Sequence, residues 1–488
     1  VNEIVLRCDG PRPRPHRSGC GALLATLVAL SLSGCGTLPN PEAKPNAKTS
    51  GNQALELLDV ALALTGTDDA LRATIAHMYM RLGQLETGLT VARAMPDGAS
   101  AAGALTAIAR SLHYRSKKAE ALELLPEIAQ LAKGAGPATR RMAVTIHATV
   151  GEAAVLEPLL KLPEYTPHAA AGRRVLLQAA ASRGDVKTAT ALLATMPESL
   201  RPGLQLSMAE AVATTGNRVG ALKWLREAMA SGRLGAVELL RTAALARRLK
   251  EPALGAAAVE EYATRVAKQQ QRSAYGMVDL GIEAHRLGMP GLGRKIVDKA
   301  LAEVRGARLA LRAARLPYLA YALSELGDEE GARAALAEAV QSAGAGEPKR
   351  QEVLLRVAKM YAGMGLEHEA RQLIAPYPST AVGDVLLHIA DHFLSKGDAI
   401  AATEVLVELE RSSVELTNPA ARSTRQRLVA ERFYRANDNA SAVDLLNASL
   451  ASIKALGPAE RARPLVDLVR TMFQTRLSPN RIPELTGR

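Results

Sequence analysis

His388, Asp391 and His392, written HIADH, come nearest in this chain to a set of residues that could do metal chemistry. Offsets of three and four put all three on one side of a helix, and imidazole with carboxylate is a donor set that zinc accepts. A further ligand is needed and none is recognisable, although His368 lies one repeat earlier in the pattern described below. The simpler reading is a solvated polar helix face, which needs no metal. No nucleophile elbow, phosphate-binding loop or metal-spaced cysteine pair is present. The glycine pairs Gly291/Gly293 and Gly363/Gly365 lack the preceding strand that a dinucleotide site requires. The expectation is no catalytic residue, no cofactor and no metal, with HIADH as the weak exception; the chain is not read as an enzyme.

Cys35 carries a different chemistry. It follows a basic segment (Arg7, Arg12, Arg14, His16, Arg17), an apolar run GALLATLVALS at 21–31, and Leu32-Ser33-Gly34. That order is the plan of a secretory signal, and the run is too short to span a bilayer. Leu32-Ser33-Gly34-Cys35 resembles the lipobox of bacterial lipoproteins. The resemblance implies removal of residues 1–34 and lipid attachment at Cys35. Gly36 in the next position, where inner-membrane retention would call for Asp, implies an outer-membrane protein facing the periplasm. Residues 35–50 read as a tether: Pro39, Pro41 and Pro45 stand among small and polar residues. At roughly 3 Å per residue such a segment holds a folded body about 45 Å from its anchor. Cys8 and Cys20 fall in the removed segment, so the mature chain has no internal disulfide and depends on packing.

From 51 to 488 the chain is long enough for a large core. The full 488-residue chain is 48% hydrophobic but only 3% aromatic, with Trp224 the single tryptophan, and no alternating β-branched runs occur. This favours helices throughout. The formal charge of +12 suits phosphate-rich lipid or polysaccharide, or reflects an Arg-rich composition in general. An exported chain with few aromatics is not expected to bind nucleic acid.

Self-similarity supplies the organisation. A small or aliphatic residue is followed seven residues later by a helix breaker, and five after that by a second small residue. The triplets are Ala76–Gly83–Gly88, Ala109–Ser116–Ala121, Val144–Gly151–Leu156, Leu177–Gly184–Ala189, Ala209–Gly216–Ala221 and Ala243–Lys250–Gly255. They continue as Gly281–Gly288–Gly293, Ala320–Gly327–Ala332, Ala358–Gly365–Ala370, Ala390–Gly397–Ala402 and Ala430–Asn437–Ala442. Each triplet reads as two helices joined at a left-handed cap, touching where the small residues cross. Leu125, Leu193, Leu225, Leu336, Ile374, Leu406 and Leu446 follow the second small residue, and Pro96, Pro163, Pro197 and Pro378 stop second helices. One such pair cannot bury its own apolar face, so the pairs must stack. Residues 53–64 and 461–475 read as leading and closing cap helices, and the longer joins at 344–348 and 417–419 as bends in one array.

Small residues at two crossings, a glycine turn and an aromatic three residues after the first small position (Tyr79, Tyr361, Phe393, Phe433) resemble a tetratricopeptide repeat. Leu112, Val212 and Leu323 fill the aromatic slot elsewhere; the first-helix tryptophan is absent, and several repeats are long. The resemblance implies an all-α, right-handed superhelical solenoid of about eleven helix pairs whose first helices line a concave groove. Carried over, groove positions are His77, Arg110, Gln178, Glu210, Tyr321, Lys359, Asp391 and Glu431, then Arg141, Arg174 and Arg427, then His113, Arg247, His285 and Tyr434. The early positions are rich in Arg and His, while the late ones mix both signs. The expected function is a lipid-anchored, protein-binding scaffold or assembly factor for an envelope complex in secretion, pilus assembly or polysaccharide export. The alternative is a polysaccharide- or peptidoglycan-binding lipoprotein that uses the basic groove.

Overall fold

The computed structural model describes residues 46–268, 274–344 and 350–479, which are helical with no strand among the described residues. The expected signal segment, Cys35 and residues 36–45 lie outside them. Residues 46–50, read from the sequence as tether, are already helical. Pro45 is the last proline before them, and nothing after it forbids a helix.

The first helix among the described residues is α1 (Asn46–Leu64). Then come α2 (Asp69–Arg81) with α3 (Leu85–Arg93), α4 (Gly98–Tyr114) with α5 (Lys118–Glu123) and α6 (Leu125–Lys133), and the kinked α7 (Pro137–Leu160). The next pairs are α8 (Ala169–Ser182) with α9 (Val186–Ala194), α10 (Arg201–Thr214) with α11 (Arg218–Ala230), and α12 (Ala236–Arg248) with α13 (Pro252–Lys268). They are followed by α14 (Ala274–Arg286) with α15 (Pro290–Arg305), α16 (Leu309–Glu325) with α17 (Glu329–Ser342), and α18 (Arg350–Gly363) with α19 (Glu367–Ile374). The last are α20 (Ser379–Lys396) with α21 (Ala399–Val414), α22 (Pro419–Arg435) with α23 (Asn439–Lys454), and α24 (Pro458–Thr475). The architecture is an all-α solenoid of eleven such pairs, with α1 and α24 besides. Two compact units divide it: one runs from His147 to Val353, and the other joins residues up to Ile146 with those from Leu354. Both boundaries fall inside first helices, α7 and α18, not at the longer joins.

Local chemistry accounts for the turns. Ten of the eleven breakers have left-handed backbone, with φ from 56° at Lys250 to 89° at Gly83. Ser116 and Lys250 accept this conformation at about 1–2 kcal/mol each, which a glycine would avoid. The third repeat departs from the pattern. There Glu152, at φ 56°, turns the chain instead of Gly151. A Cβ on Gly151 would lie 2.3 Å from Val155 Cβ, so this glycine serves close approach and the reversal comes one residue later. α7 is also long and apolar enough to cross a membrane, but 56% of its apolar window is buried in the protein.

Both crossing positions of every triplet are buried. A Cβ on Gly88 would lie 2.6 Å from the Ala76 carbonyl oxygen, and one on Gly293 equally close to that of Gly281. At these two crossings the backbones touch and only glycine fits. Tyr79, Tyr361 and Phe433 are buried in the aromatic slot, and Phe393 is half-buried. The second helices end at Arg93, Leu160, Ala194 and Ile374, each shortly before its proline. In the second pair the second helix is broken into α5 and α6, with Pro126 in the first turn of α6.

The cap helices do more than cover ends. α24 begins at Pro458 and pairs with α1, so the last and first of the described helices form a twelfth pair. Leu57, Leu58 and Ala61 of α1 and Leu465, Leu468 and Val469 of α24 are all fully buried. Burying Leu57 and Leu58 contributes roughly 3–6 kcal/mol before chain entropy is charged. Tyr79 Oη donates to Asp59 Oδ1 at 2.5 Å, tying α1 to α2. Within this unit the stack of first helices therefore runs α20, α22, α24, α2, α4.

Candidate binding surface

In the unit from His147 to Val353, two of the six groove candidates, Glu210 and Arg247, are held in ion pairs. Arg241 donates to both carboxylate oxygens of Glu210, and Arg247 Nε donates to Glu283 Oε1 at 2.8 Å. Glu283 is only 8% exposed, so the exposed Arg247 neutralises a charge that burial would otherwise make costly. Arg286 and Glu325, which hold the same position in consecutive repeats, pair at 2.5 Å. Tyr321 is buried and presents little to a ligand. His285 and Gln178 are half-buried; Arg174 is exposed with no ion pair among the described residues.

The other unit holds two contrasting stretches of first helices. On α18, α20 and α22, Lys359 Nζ donates to Asp384 Oδ2 at 3.2 Å, and Arg427 Nη1 to Glu431 Oε1 at 3.3 Å. Thr471 of α24 joins the second pair, donating its hydroxyl to Glu431 Oε1 at 2.8 Å. Tyr434 is half-buried beside them. On α2 and α4 no carboxylate follows Asp69, and none occurs in α7 before Glu152. Here Arg110 and Arg141 are exposed, without ion pairs among the described residues. His77 Nε2 lies 2.8 Å from Ser111 Oγ. Burial, then the charges of Arg81 and Arg115, lower His77 from 6.5 to about 4, so it is neutral at pH 7. Arg115 donates to the carbonyls of Met80 at 3.4 Å and Arg81 at 3.2 Å, closing the end of α2. The Arg81 guanidinium sits 4.2 Å from the Phe473 ring centroid. His113 packs edge-on against Tyr114.

HIADH does not assemble as a metal site. Asp391 Oδ2 accepts from Arg432 Nη2 at 2.7 Å and Oδ1 from Arg435 Nη1 at 2.5 Å, so two guanidiniums occupy the carboxylate. His388 Nδ1 lies 2.7 Å from the Asp384 carbonyl oxygen, to which it must donate. A Cβ on Gly365 would lie 2.8 Å from His392 Nε2, so this ring is pressed against the repeat turn. His368 is engaged with Gln372 at 2.8 Å. Burial is the largest cause lowering both His388 and His392. No group of three His, Cys, Asp or Glu able to hold a metal occurs among the described residues.

Arginines that the sequence reading passed over have a repeated structural use. Arg201, Arg312, Arg350, Arg422 and Arg461 each stand eight residues before a first-helix small or aliphatic residue. Each reaches back to carbonyls at the end of the preceding second helix; Arg201, for instance, donates to Ala194 and Met196, both at 3.0 Å. A cation at a helix C-terminus satisfies orphan carbonyls and complements the dipole. Their common offset was the available signal. It assigns part of the basic composition to fold and not to ligand.

No family model matches the chain, and no curated protein matches it. Among solved structures the chain is similar to the pentatricopeptide repeat protein PPR10 from maize, at 14% identity over 94% of this chain and 79% of that one, TM-score 0.26. It is similar to yeast Tom70 at 12% identity over 85% and 96%, TM-score 0.22. It also resembles the P58(IPK) TPR domain at 13% identity over 77% and 99%, TM-score 0.17. Likenesses this distant say nothing of function.

Proposed function

We propose that the chain is a lipid-anchored, non-catalytic scaffold that binds protein partners in the cell envelope, anchored at Cys35 and facing the periplasm. The observation that carries the binding half is the register of the solenoid, which repeats one face of first helices with half-buried and exposed polar side chains. Such a face offers extended complementarity without a pocket. The anchoring half rests on Leu32-Ser33-Gly34-Cys35 and the basic and apolar segments before it. Crosslinked pull-down from intact cells, with partners quantified by mass spectrometry, tests the first half. One envelope complex recovered in amounts comparable to the bait supports it, and recovery of none opposes it. Cys35→Ala tests the second half: acylation should disappear and the protein should leave the membrane fraction, and an unchanged distribution removes the anchor.

A second reading, binding of an acidic glycan, is favoured by one observation. Arg110, Arg141 and Arg174 are exposed and have no ion pair among the described residues. Binding would weaken steeply with salt, and changing the three to Glu together would abolish it; equal affinity in the triple variant overturns this reading.

A further inference from the structure

We propose that His77, Ser111 and Arg115, where α2 meets α4, form a site for an oxyanion that is taken up together with a proton on His77. The proposal deepens the basic-surface reading but names a different event, because proton uptake at one imidazole is measurable whatever the partner is.

The argument is one of donors. Ser111 Oγ fixes the His77 ring at 2.8 Å, and a hydroxyl can donate to a neutral imidazole or accept from a protonated one without moving. Arg115 is held by the carbonyls of Met80 and Arg81, which use only part of its five N–H groups. Arg81 adds its charge from one turn along α2, held against Phe473. Once His77 is protonated the imidazole and the guanidinium can only donate, and donor-only chemistry in a half-buried place selects carboxylate, sulfate or phosphate groups. Of the neighbouring helices, α4 contributes Arg115 and Ser111, α24 contributes Phe473, and Asp59 of α1 is engaged by Tyr79. The charges acting on His77 are those of Arg81 and Arg115, both positive. An anion between them would cancel the repulsion that keeps the ring neutral, so ligand and proton favour each other.

Sulfate is the probe, because it does not titrate between pH 4 and pH 8. The full-length protein, labelled at histidine, is titrated by NMR with sodium sulfate or with sodium chloride at matched ionic strength. The His77 resonance is identified by its loss in His77→Gln. The midpoint of His77 should lie near pH 4 in chloride and rise by about one unit or more in saturating sulfate. Sulfate affinity should increase about twofold as the pH falls from 7 to 5 for a rise of one unit, and about tenfold for a rise of two. His77→Gln should keep the weak affinity seen at pH 7 and lose the gain. Arg115→Gln should weaken binding throughout, and because Arg115 also caps α2, Arg81→Gln is measured beside it with circular dichroism as the folding control. A His77 midpoint unmoved by sulfate overturns the proposal. So does affinity that is independent of pH, or equal in wild type and His77→Gln, either of which marks an adventitious ion only.

Discussion

Two stretches of first helices in the same unit use arginine in opposite ways. On α20 and α22, Arg432 and Arg435 converge on Asp391, and Arg427 pairs with Glu431 and Thr471. On α2 and α4 the basic side chains meet carbonyls, a hydroxyl and a ring: Arg115 on Met80 and Arg81, His77 on Ser111, and Arg81 on Phe473. The first arrangement consumes its charge in holding neighbouring repeats together. The second holds its side chains just as firmly, with Arg115 on carbonyls and His77 on a hydroxyl where the first has carboxylates. A count of basic residues cannot separate the two, but the position of carboxylates one repeat away can.

Removing a carboxylate from the first stretch should be costly. Asp391→Ala leaves Arg432, whose side chain is only 13% exposed, beside Arg435 with no counter-charge. After discounting for solvent screening, the expected loss is about 2 kcal/mol, read as a lower urea midpoint with an unchanged slope. A loss below about 0.5 kcal/mol, the range of ordinary surface changes, would break the comparison, because the late cations would then be as uncommitted as the early ones.

Acid should act on the second stretch. His77 has a folded-state midpoint of about 4 against 6.5 in the unfolded chain, so as pH falls the unfolded state binds the proton first. Its contribution is fully present above pH 6.5 and is lost as the pH drops toward 4, by at most about 3 kcal/mol. His388 and His392 are lowered in the same direction, so part of the acid slope remains in His77→Gln. Thermal melts at pH 7 and pH 5 should show a smaller drop in His77→Gln than in wild type. Equal drops would place the acid sensitivity in the HIADH helix instead.

How legible these features were depends on how local their causes are. Left-handed caps at Gly83 or Gly397 follow from one residue's conformational freedom, and the phase of the pattern was enough to find Ser116 and Lys250. Gly151 misled because its missing Cβ is needed for Val155, a packing demand that looks identical in sequence to a turn demand. The pairing of α1 with α24 joins segments almost the whole chain apart, and no local composition announces it. The repeat pattern places the candidate residues on first helices, but it does not say which charges they meet. Arg247 and Lys359 carry ion pairs to neighbouring repeats, and Tyr321 is buried because the packing of the next pair decides which side of its slot stays open. Arg110, Arg141 and Arg174 are exposed and have no ion pair among the described residues.

The smallest effect is the sharpest test of the difference. Arg110→Glu replaces an exposed cation on a helix that carries no acid, and sets a carboxylate three residues before His113. The loss of like-charge repulsion and the gain of a helical neighbour are each worth a few tenths of a kcal/mol, so stability should stay within about 0.5 kcal/mol of wild type or rise slightly. High salt should erase even that, since exposed charges are screened. The same reversal at Arg247 puts two carboxylates together at Glu283, which is 8% exposed, and should cost about 2 kcal/mol or more. The substitution, the residue type and the exposed starting side chain are alike in the two cases; only the neighbour one repeat on differs. If Arg110→Glu proves as costly as Arg247→Glu, Arg110 holds the fold as Arg247 does, and the basic surface on α4 is structural.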